Sequence, residues 1–472
     1  MRLSHSKGEI PMYTMFSDTI AAISTPHGKG GVAVIRISGE NAFEVAEKFI
    51  FPKNKKPFSE IKANSVFLAD VKNAEGKTLD ESLITIFRAP RSYTGENVVE
   101  ISCHGGVLLT QNILSAAFSA GAVQAGPGEF TRRAFSAGKL SLTEAESVIG
   151  MIDAKTNAAL TLAQRGVSGA LTKKTEKIYN DITAVIGNIY AIIDFPDEDL
   201  ERMTHEGMEE AMDGIIAELS ALKDSYRTGH AVCEGIPTVI CGKPNTGKST
   251  ILNLLAQNER AIVTDIAGTT RDVISETVVC GSALLRLSDT AGIRESADVV
   301  EQIGVDRSKK EIENSELILA VFDTSRPFDA EDEEVLTLVE KAEAEGKTVL
   351  VVLNKSDKEK HFGEEMFASY DTISLSAKNG DRAALSDKIE GKFISGDIEN
   401  SGEEILTNAR QYSSVCECLA SVVSAKYALE LYGDDIAGTE LERAATAISE
   451  LDGREVSVDV VDHIFHKFCV GK

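Results

Sequence analysis

Hydrophobic and polar positions along this chain switch period twice. Apolar residues fill 20–23 and 31–37 on either side of Ser24-Thr25-Pro26-His27-Gly28-Lys29-Gly30, a glycine-rich turn, and strand-like patterns recur at 66–71, 81–88 and 97–102. Helical patterns fill the gaps at 41–49 and 106–120, so residues 16–137 read as an α+β domain behind a loose extension, 1–15. From Leu142 the period becomes 3.6: Ile178, Ile182, Val185, Ile186, Ile189 and Ile193 fall on one helical face. An acidic, proline-containing turn at 194–201 breaks that run, and another helix is predicted from about 208 to 226. A second helical stripe, Ile405, Ala409, Tyr412, Val415 and Leu419, follows much later. Neither helical piece, 138–231 or 396–472, buries its apolar face alone. The two are expected to pack together as one discontinuous all-α domain with a third domain, 232–395, inserted between them. The alternative is two separate helical tails.

The inserted segment carries the chemistry. Gly242-Lys-Pro-Asn-Thr-Gly-Lys-Ser-Thr250 has the phosphate-loop spacing G-x-x-x-x-G-K-[ST], with an apolar strand at 237–241 before it and a helical start at 250–256 after it. Gly242 and Gly247 let the backbone wrap a phosphate chain, with Asn245, Thr246 and Thr250 beside it. Lys248 reaches the terminal phosphates and the Ser249 hydroxyl is placed for magnesium. Asn354-Lys355-Ser356-Asp357 follows a buried strand at 348–353 and fits the guanine-reading pattern N-K-x-D, in which a carboxylate accepts from the guanine N1 and exocyclic amine. Ser376-Ala377-Lys378 fits the motif that supports the base through its backbone. Asp289-Thr290-Ala291-Gly292 fits switch II, where Asp289 holds magnesium indirectly and Gly292 swings toward the γ-phosphate. Asp265-Ile266-Ala267-Gly268-Thr269-Thr270-Arg271-Asp272 fits switch I. In this order, the motifs predict a Ras-like α/β P-loop GTPase domain within a multidomain α/β chain.

Composition narrows the class only modestly. A length of 472 residues predicts two to four domains, and 43% hydrophobic with 26% charged residues is ordinary for a globular protein. A net charge of −25 argues against a broad non-specific nucleic-acid surface, leaving room for RNA contact through a local basic patch or a partner protein. No run is apolar and long enough to span a bilayer and residues 1–20 lack a signal-peptide core, so a cytoplasmic location without membrane contact is expected. Seven scattered cysteines make no disulfide framework, and Cys416 and Cys418 are too close for the usual metal or redox pair.

One expected group is missing. Ras-like enzymes place a glutamine after the switch II glycine to orient the attacking water; here Ile293 occupies that place. Either hydrolysis is slow or another group substitutes. Arg294, Glu295 and Glu301 in switch II and Arg271 in switch I are the candidates, and the alternative for the switch II residues is a solvated charged face. Asn245 can also help hold a monovalent cation, whose charge would replace an arginine finger.

The switch sequences, the helical insertion layout and the last residues Phe468-Cys469-Val470-Gly471-Lys472 together resemble the bacterial and organellar tRNA-modification GTPase family MnmE (TrmE). Stretches 25–39, 93–106 and 126–146 are similar to it as well, so the resemblance spans nearly the whole chain. It implies a homodimer formed through the N-terminal domain, which binds 5-formyltetrahydrofolate or a related folate as one-carbon donor. It also implies a flavoprotein partner of the MnmG type, carrying FAD and using NADH, and tRNA as substrate. Together the two would install a (carboxymethyl)aminomethyl group at C5 of the wobble uridine.

The resemblance further implies potassium-dependent hydrolysis. Asn245 and Thr269, with the Thr264 and Ile266 backbone, would hold potassium; Thr270 would join Ser249 on magnesium; Glu301 would orient the water through an intermediate group. Arg36, Glu96, Lys139 and Lys472 would form the folate site, although Arg36 taken alone reads as a surface charge. Cys469 would take part in the modification chemistry, and neighbouring His466 and Lys467 favour its thiolate; a small buried residue is the alternative. Val470 stands where isoleucine is usual, and 451–459, read as the helix before the tail, departs from the family's glycine-threonine pattern. A ribosome-assembly or RNA-binding switch GTPase without modification chemistry is the competing class. Such proteins usually append a basic module, whereas the flanks here are acidic.

Overall fold

A computed structural model of the chain describes residues 18–195, 203–256, 276–287, 311–396, 398 and 402–472. The predicted extension 1–15 and most of the turn at 194–201 lie outside the described residues. The chain divides into two compact units, Met1–Ile149 with Gly166–Tyr179 and Ile448–Lys472, and Gly150–Arg165 with Asn180–Ala447.

The first unit holds a seven-stranded sheet. Its strands are β1 (Ile20–Ile23), β2 (Val32–Ser38), β3 (Ile50–Pro52), β4 (Ser65–Lys72), β5 (Thr78–Phe87), β6 (Val98–His104) and β7 (Val123–Gln124), ordered β3-β4-β5-β6-β2-β1-β7. All pairings are antiparallel except that of β1 with β7. Alternation sends Ala33, Ile35, Ile37, Ile84, Ile86, Val99 and Ile101 into one core with the helices Ala42–Glu47 and Val107–Ala120. The opposite face is open, with Val66 60% and Leu83 50% exposed, as antiparallel sheets permit.

The C-terminal residues Ile448–Lys472 belong to this unit. The reason is close backbone approach at glycines. At Gly128 (φ +62°) a Cβ would meet the Phe465 carbonyl at 2.6 Å, and at Gly471 (φ +100°) it would run into the Ile23 carbonyl. Phe465 and Phe468 then pack with Phe135 and Leu142. The stretch 451–459 is a junction and not the helix predicted there. The helix Asp434–Asp452 ends at Gly453 (φ +94°), and Val458–His466 starts afresh behind Ser457, whose hydroxyl caps it.

The second unit holds a six-stranded sheet: β8 (Ile236–Cys241), β9 (Glu276–Cys280), β10 (Ala283–Leu287), β11 (Leu317–Asp323), β12 (Thr348–Asn354) and β13 (Thr372–Ser374), ordered β13-β12-β11-β8-β10-β9. Only the β9–β10 hairpin is antiparallel. The helices Lys248–Ala256 and Arg382–Phe393 share one core with the sheet, and Ala330–Ala344 shares the other. Covered on both faces, β11 is buried at every residue. This is the predicted P-loop domain.

In the same unit the helix His205–Cys233 packs along Ala409–Leu431, so the helical pieces that flank the P-loop domain in sequence meet. Thr204 and Asn408 cap them through their side chains. The buried seam of the later helix runs through Val415, Cys418, Val422, Ala425 and Leu429, with Cys418 packing as a small hydrophobe; of the predicted stripe, Tyr412 and Leu419 are half-buried, and the Tyr412 ring stacks on Tyr226 of the facing helix at 4.4 Å. Of the predicted stripe on Ala170–Asp194, Ile178, Ile182, Val185 and Ile189 are buried and Ile193 is 37% exposed. Among the described residues no helix is long and apolar enough to cross a membrane.

Candidate nucleotide-binding site

Strand β8 runs into the loop Gly242–Gly247, and the helix Lys248–Ala256 leaves it. Two glycines are required here by close approach. A Cβ on Gly242 (φ +145°) would run into the Val321 carbonyl of β11, and one on Gly247 (φ +100°) into the Asn354 side-chain amide. Asn245 adopts φ +63°, a conformation that asparagine tolerates better than most residues.

Every carbonyl from Gly242 to Thr246 accepts a side-chain donor. Lys248 Nζ donates to the Gly242 and Lys243 carbonyls at 2.8 and 2.9 Å, and Thr246 Oγ1 to Lys243 at 3.0 Å. Arg326 donates to Pro244 at 2.9 Å, Lys355 Nζ to Asn245 at 2.9 Å, and Asn354 Nδ2 to Thr246 at 2.8 Å. With its carbonyls engaged by these donors, a wrapped loop offers its N–H groups to an anion at a helix N-terminus. Burial lowers the Lys248 ammonium from its ordinary range. Ser249 and Thr250 stand exposed on the first turn of the helix.

Buried Asn354 joins the sequence motifs. Beyond its bond to Thr246, its Oδ1 accepts from the Lys355 N–H at 2.8 Å and the Ala377 N–H at 3.1 Å. Asp357 is exposed, and its Oδ1 accepts from Ser376 Oγ at 2.7 Å, which holds the carboxyl below its ordinary range. The Ser376 N–H donates to Asp381 at 2.9 Å, and Lys378 lies exposed in the turn after Ala377. The structure thus brings Asn245, Thr246, Gly247, Lys248, Asn354, Lys355, Asp357, Ser376 and Ala377 together.

Sequence reasoning missed the residues behind them. Asp323, 4% exposed at the end of β11, pairs with Lys355 Nζ at 2.6 Å and Arg326 Nε at 3.3 Å. Burial acts to raise its carboxyl, and the hydrogen bonds from Lys355 and Ser325 outweigh it and hold it low. An acid ending an apolar strand was the only available signal. Thr264, Asp265, Ile266, Ala267, Gly268, Thr269, Thr270, Arg271, Asp289, Thr290, Ala291, Gly292, Arg294 and Glu301 lie outside the described residues.

In the first unit, Arg36 on β2 pairs with Glu100 at 2.9 Å, and its guanidinium lies over the Tyr93 and Phe130 rings at 5.5 and 5.4 Å. Two residues on, buried Ser38 donates to Glu96 Oε2 at 2.6 Å. Glu96 also pairs with Arg133 at 3.0 Å, and Arg133, 2% exposed at its side chain, reaches Glu129 at 2.8 Å. The Phe130 N–H donates to the Lys472 carbonyl at 3.1 Å, which brings the terminal residue to this cluster. Lys139 Nζ donates to the Pro90 carbonyl at 3.0 Å, and Gly95 backs onto the Lys139 side chain. Arg36, Glu96, Lys139 and the Lys472 backbone therefore gather around the helix Glu129–Ser136, with Arg133 and Tyr93 the members the sequence did not single out. Cys469 is exposed, and all seven cysteines are free thiols. His466 Nδ1 is turned to the Asp462 carbonyl at 2.9 Å.

Residues 142–469 match the family model of the MnmE helical domain, and residues 19–139 that of the GTP-binding protein TrmE N-terminus. The chain is 38% identical over 461 residues to the tRNA modification GTPase MnmE of Clostridioides difficile, covering 96% of this chain and 99% of that protein. The chain belongs to the tRNA modification GTPase MnmE family. The MnmE proteins of Acetivibrio thermocellus and Natranaerobius thermophilus are also 38% identical, over 464 and 465 residues, covering 96% and 97% of this chain and 99% and 100% of those proteins. Membership makes this chain a GTP hydrolase of tRNA modification, with MnmE's N-terminal, helical and P-loop GTPase domains.

Proposed function

We propose that the chain is a potassium-dependent GTPase that works as a homodimer in the cytoplasm with an MnmG-type flavoprotein. The pair adds a (carboxymethyl)aminomethyl group at C5 of the wobble uridine of certain tRNAs, with FAD and NADH on the partner. GTP lies on the Gly242–Thr250 loop with magnesium on Ser249 and Thr270, and Asp357 reads guanine. The observation that carries this reading is a chain 38% identical to MnmE proteins over nearly its full length whose loop carbonyls from Gly242 to Thr246 each accept a side-chain donor. With the carbonyls so engaged, the N–H groups of the loop are left for a phosphate chain.

Potassium, held by Asn245, Thr269 and the Thr264 and Ile266 carbonyls, supplies the charge that Ile293 cannot, and Glu301 orients the water, with Arg271 and Arg294 as further candidates. In the first unit Arg36, Glu96, Lys139 and Lys472 hold 5-formyltetrahydrofolate, a cation stacked between aromatic rings beside a fixed carboxylate being suited to a pterin and its carboxylated tail. Cys469 serves the modification step, and its exposure is compatible with that role. This reading divides the chain into 16–137, 138–231, 232–395 and 396–472, the last ending in the Phe468–Lys472 tail, with an extension at 1–15.

Nucleoside mass spectrometry of bulk tRNA from a deletion strain tests this. Loss of the C5-modified wobble uridine, restored by the wild-type chain but by neither Asp357→Asn nor Cys469→Ser, is expected; an unchanged nucleoside profile in the deletion strain overturns the reading. Phosphate release in potassium against sodium buffer tests the cation, and equal rates remove it. Titration with 5-formyltetrahydrofolate against wild type and Arg36→Ala tests the folate site.

A further inference from the structure

One charged cluster beside the loop has no role so far. Lys243 directly follows Gly242, yet its side chain is only 3% exposed. Its ammonium donates to Asp329 Oδ2 at 2.6 Å and to Asp332 Oδ2. Asp332 is itself 2% exposed, and the two acids form the capping box of the helix Ala330–Ala344, with Asp329 as N-cap. Burial works to lower the Lys243 ammonium, and the hydrogen bonds to Asp329 and Asp332 outweigh it, keeping the group charged.

Taking an ammonium and a carboxylate out of water together is expensive, and apolar residues of similar volume often hold a fold as well or better. Stability alone therefore does not account for charge at this place. Position does. The Lys243 carbonyl accepts both Lys248 Nζ and Thr246 Oγ1, and together with the Gly242 carbonyl just before it, which also accepts Lys248 Nζ, the orientation of this peptide sets where the Lys248 ammonium rests and how the loop turns. An ammonium clamped by two acids on a capped helix end is a fixed reference for that peptide; an apolar side chain in the same space lacks directional bonds.

We propose that Lys243, clamped by Asp329 and Asp332, is a positioning residue for GTP that pins the phosphate loop to the helix Ala330–Ala344 and so keeps Lys248 aimed along it. The inference rests on reading Gly242–Thr250 as the phosphate site.

Binding of a fluorescent GTP analogue and thermal melting are measured on the full chain for Lys243→Met, Asp332→Asn, their double variant, Asp329→Asn and Lys248→Ala. Lys243→Met is expected to melt lower and to weaken binding about ten-fold or more. The double variant leaves no unpaired buried charge, so its melting temperature recovers while binding stays weak. Recovery of binding together with melting temperature overturns the proposal, because the charge then serves only the fold. Wild-type affinity in Lys243→Met overturns it too. Should Lys243→Met not fold, Asp329→Asn removes the half-exposed acceptor alone and is expected to weaken binding a few-fold without lowering the melting temperature; unchanged affinity there overturns the proposal. Lys248→Ala binding as tightly as wild type sinks the phosphate-site reading itself and so separates that failure from this one.

Discussion

The nucleotide loop of the second unit and the Arg36–Glu96 cluster of the first are organised by opposite means. At the loop, side chains hold carbonyls: Lys248, Arg326, Lys355 and Asn354 each give a donor to the backbone. What they leave for the ligand is a curl of peptide N–H groups, and the shape of that curl depends on Gly242 and Gly247. In the first unit the backbone is ordinary strand and helix, and side chains make the site. Arg36 lies across two rings, and Arg133 fixes Glu96 from beneath. A backbone-built site is intolerant of a methyl group. A side-chain-built one is intolerant of losing a charge.

The comparison breaks most sharply at Gly247. Gly247→Ala introduces a methyl against the Asn354 amide at φ +100°, and GTP affinity is expected to fall by roughly 10³-fold in equilibrium titration. A loss of less than ten-fold, or about 1.4 kcal/mol, would mean that the backbone shape is not decisive. In the first unit the matching test is Arg133→Met, which leaves Glu96 and Glu129 without their buried partner. Urea unfolding is expected to lose about 3 kcal/mol while GTP hydrolysis per folded molecule is unchanged; a fall below about 1 kcal/mol would reduce this pair to a surface contact.

Asp357→Asn sharpens the nucleotide side. The amide no longer accepts both guanine donors, so affinity for GTP is expected to drop about 10²-fold and affinity for xanthosine triphosphate to rise. Equal loss for both nucleotides would argue against base reading. The smallest effect concerns charge in the second unit. Burial lowers the His230 imidazolium, but hydrogen bonds to Glu234 and Glu316 outweigh it and raise the group to about 9 from an ordinary 6.5. Because the folded value lies above the unfolded one, the stabilisation is complete below pH 6.5 and is lost as pH rises through about 9. Melting temperatures of wild type and His230→Gln should therefore converge between those values, and a pH-independent difference would remove His230 from that role.

The two sites also differ in how far they could be read beforehand. Gly242 to Thr250 is contiguous, and its chemistry is a matter of local backbone geometry, so spacing alone located it. Asn354, Lys355 and Asp357 were legible for the same reason. Arg36, Glu96, Lys139 and Lys472 are scattered over almost the whole chain, and family resemblance alone put them together. Arg133 and Tyr93 carried no signal, because an arginine inside a short helix pattern looks the same whether it faces water or two carboxylates. Lys243 was hidden likewise: a lysine in a loop reads as exposed until Asp329 and Asp332, some 90 residues on, close over it.

By itself, then, the sequence determined the elements whose cause is local. These are the strand alternation of the first sheet, the parallel apolar strands around the P-loop, the helical flanks, and the glycine-dependent loop. The tertiary structure decided where distant pieces meet. It joined His205–Cys233 to Ala409–Leu431, set the tail of 448–472 on the N-terminal unit through Gly128 and Gly471, and buried Lys243 and Arg133 among acids. The physical reason is that periodicity and turn chemistry act over a few residues. The pairing of a buried charge, or the approach of two backbones at a glycine, depends on a partner whose distance along the chain is unconstrained.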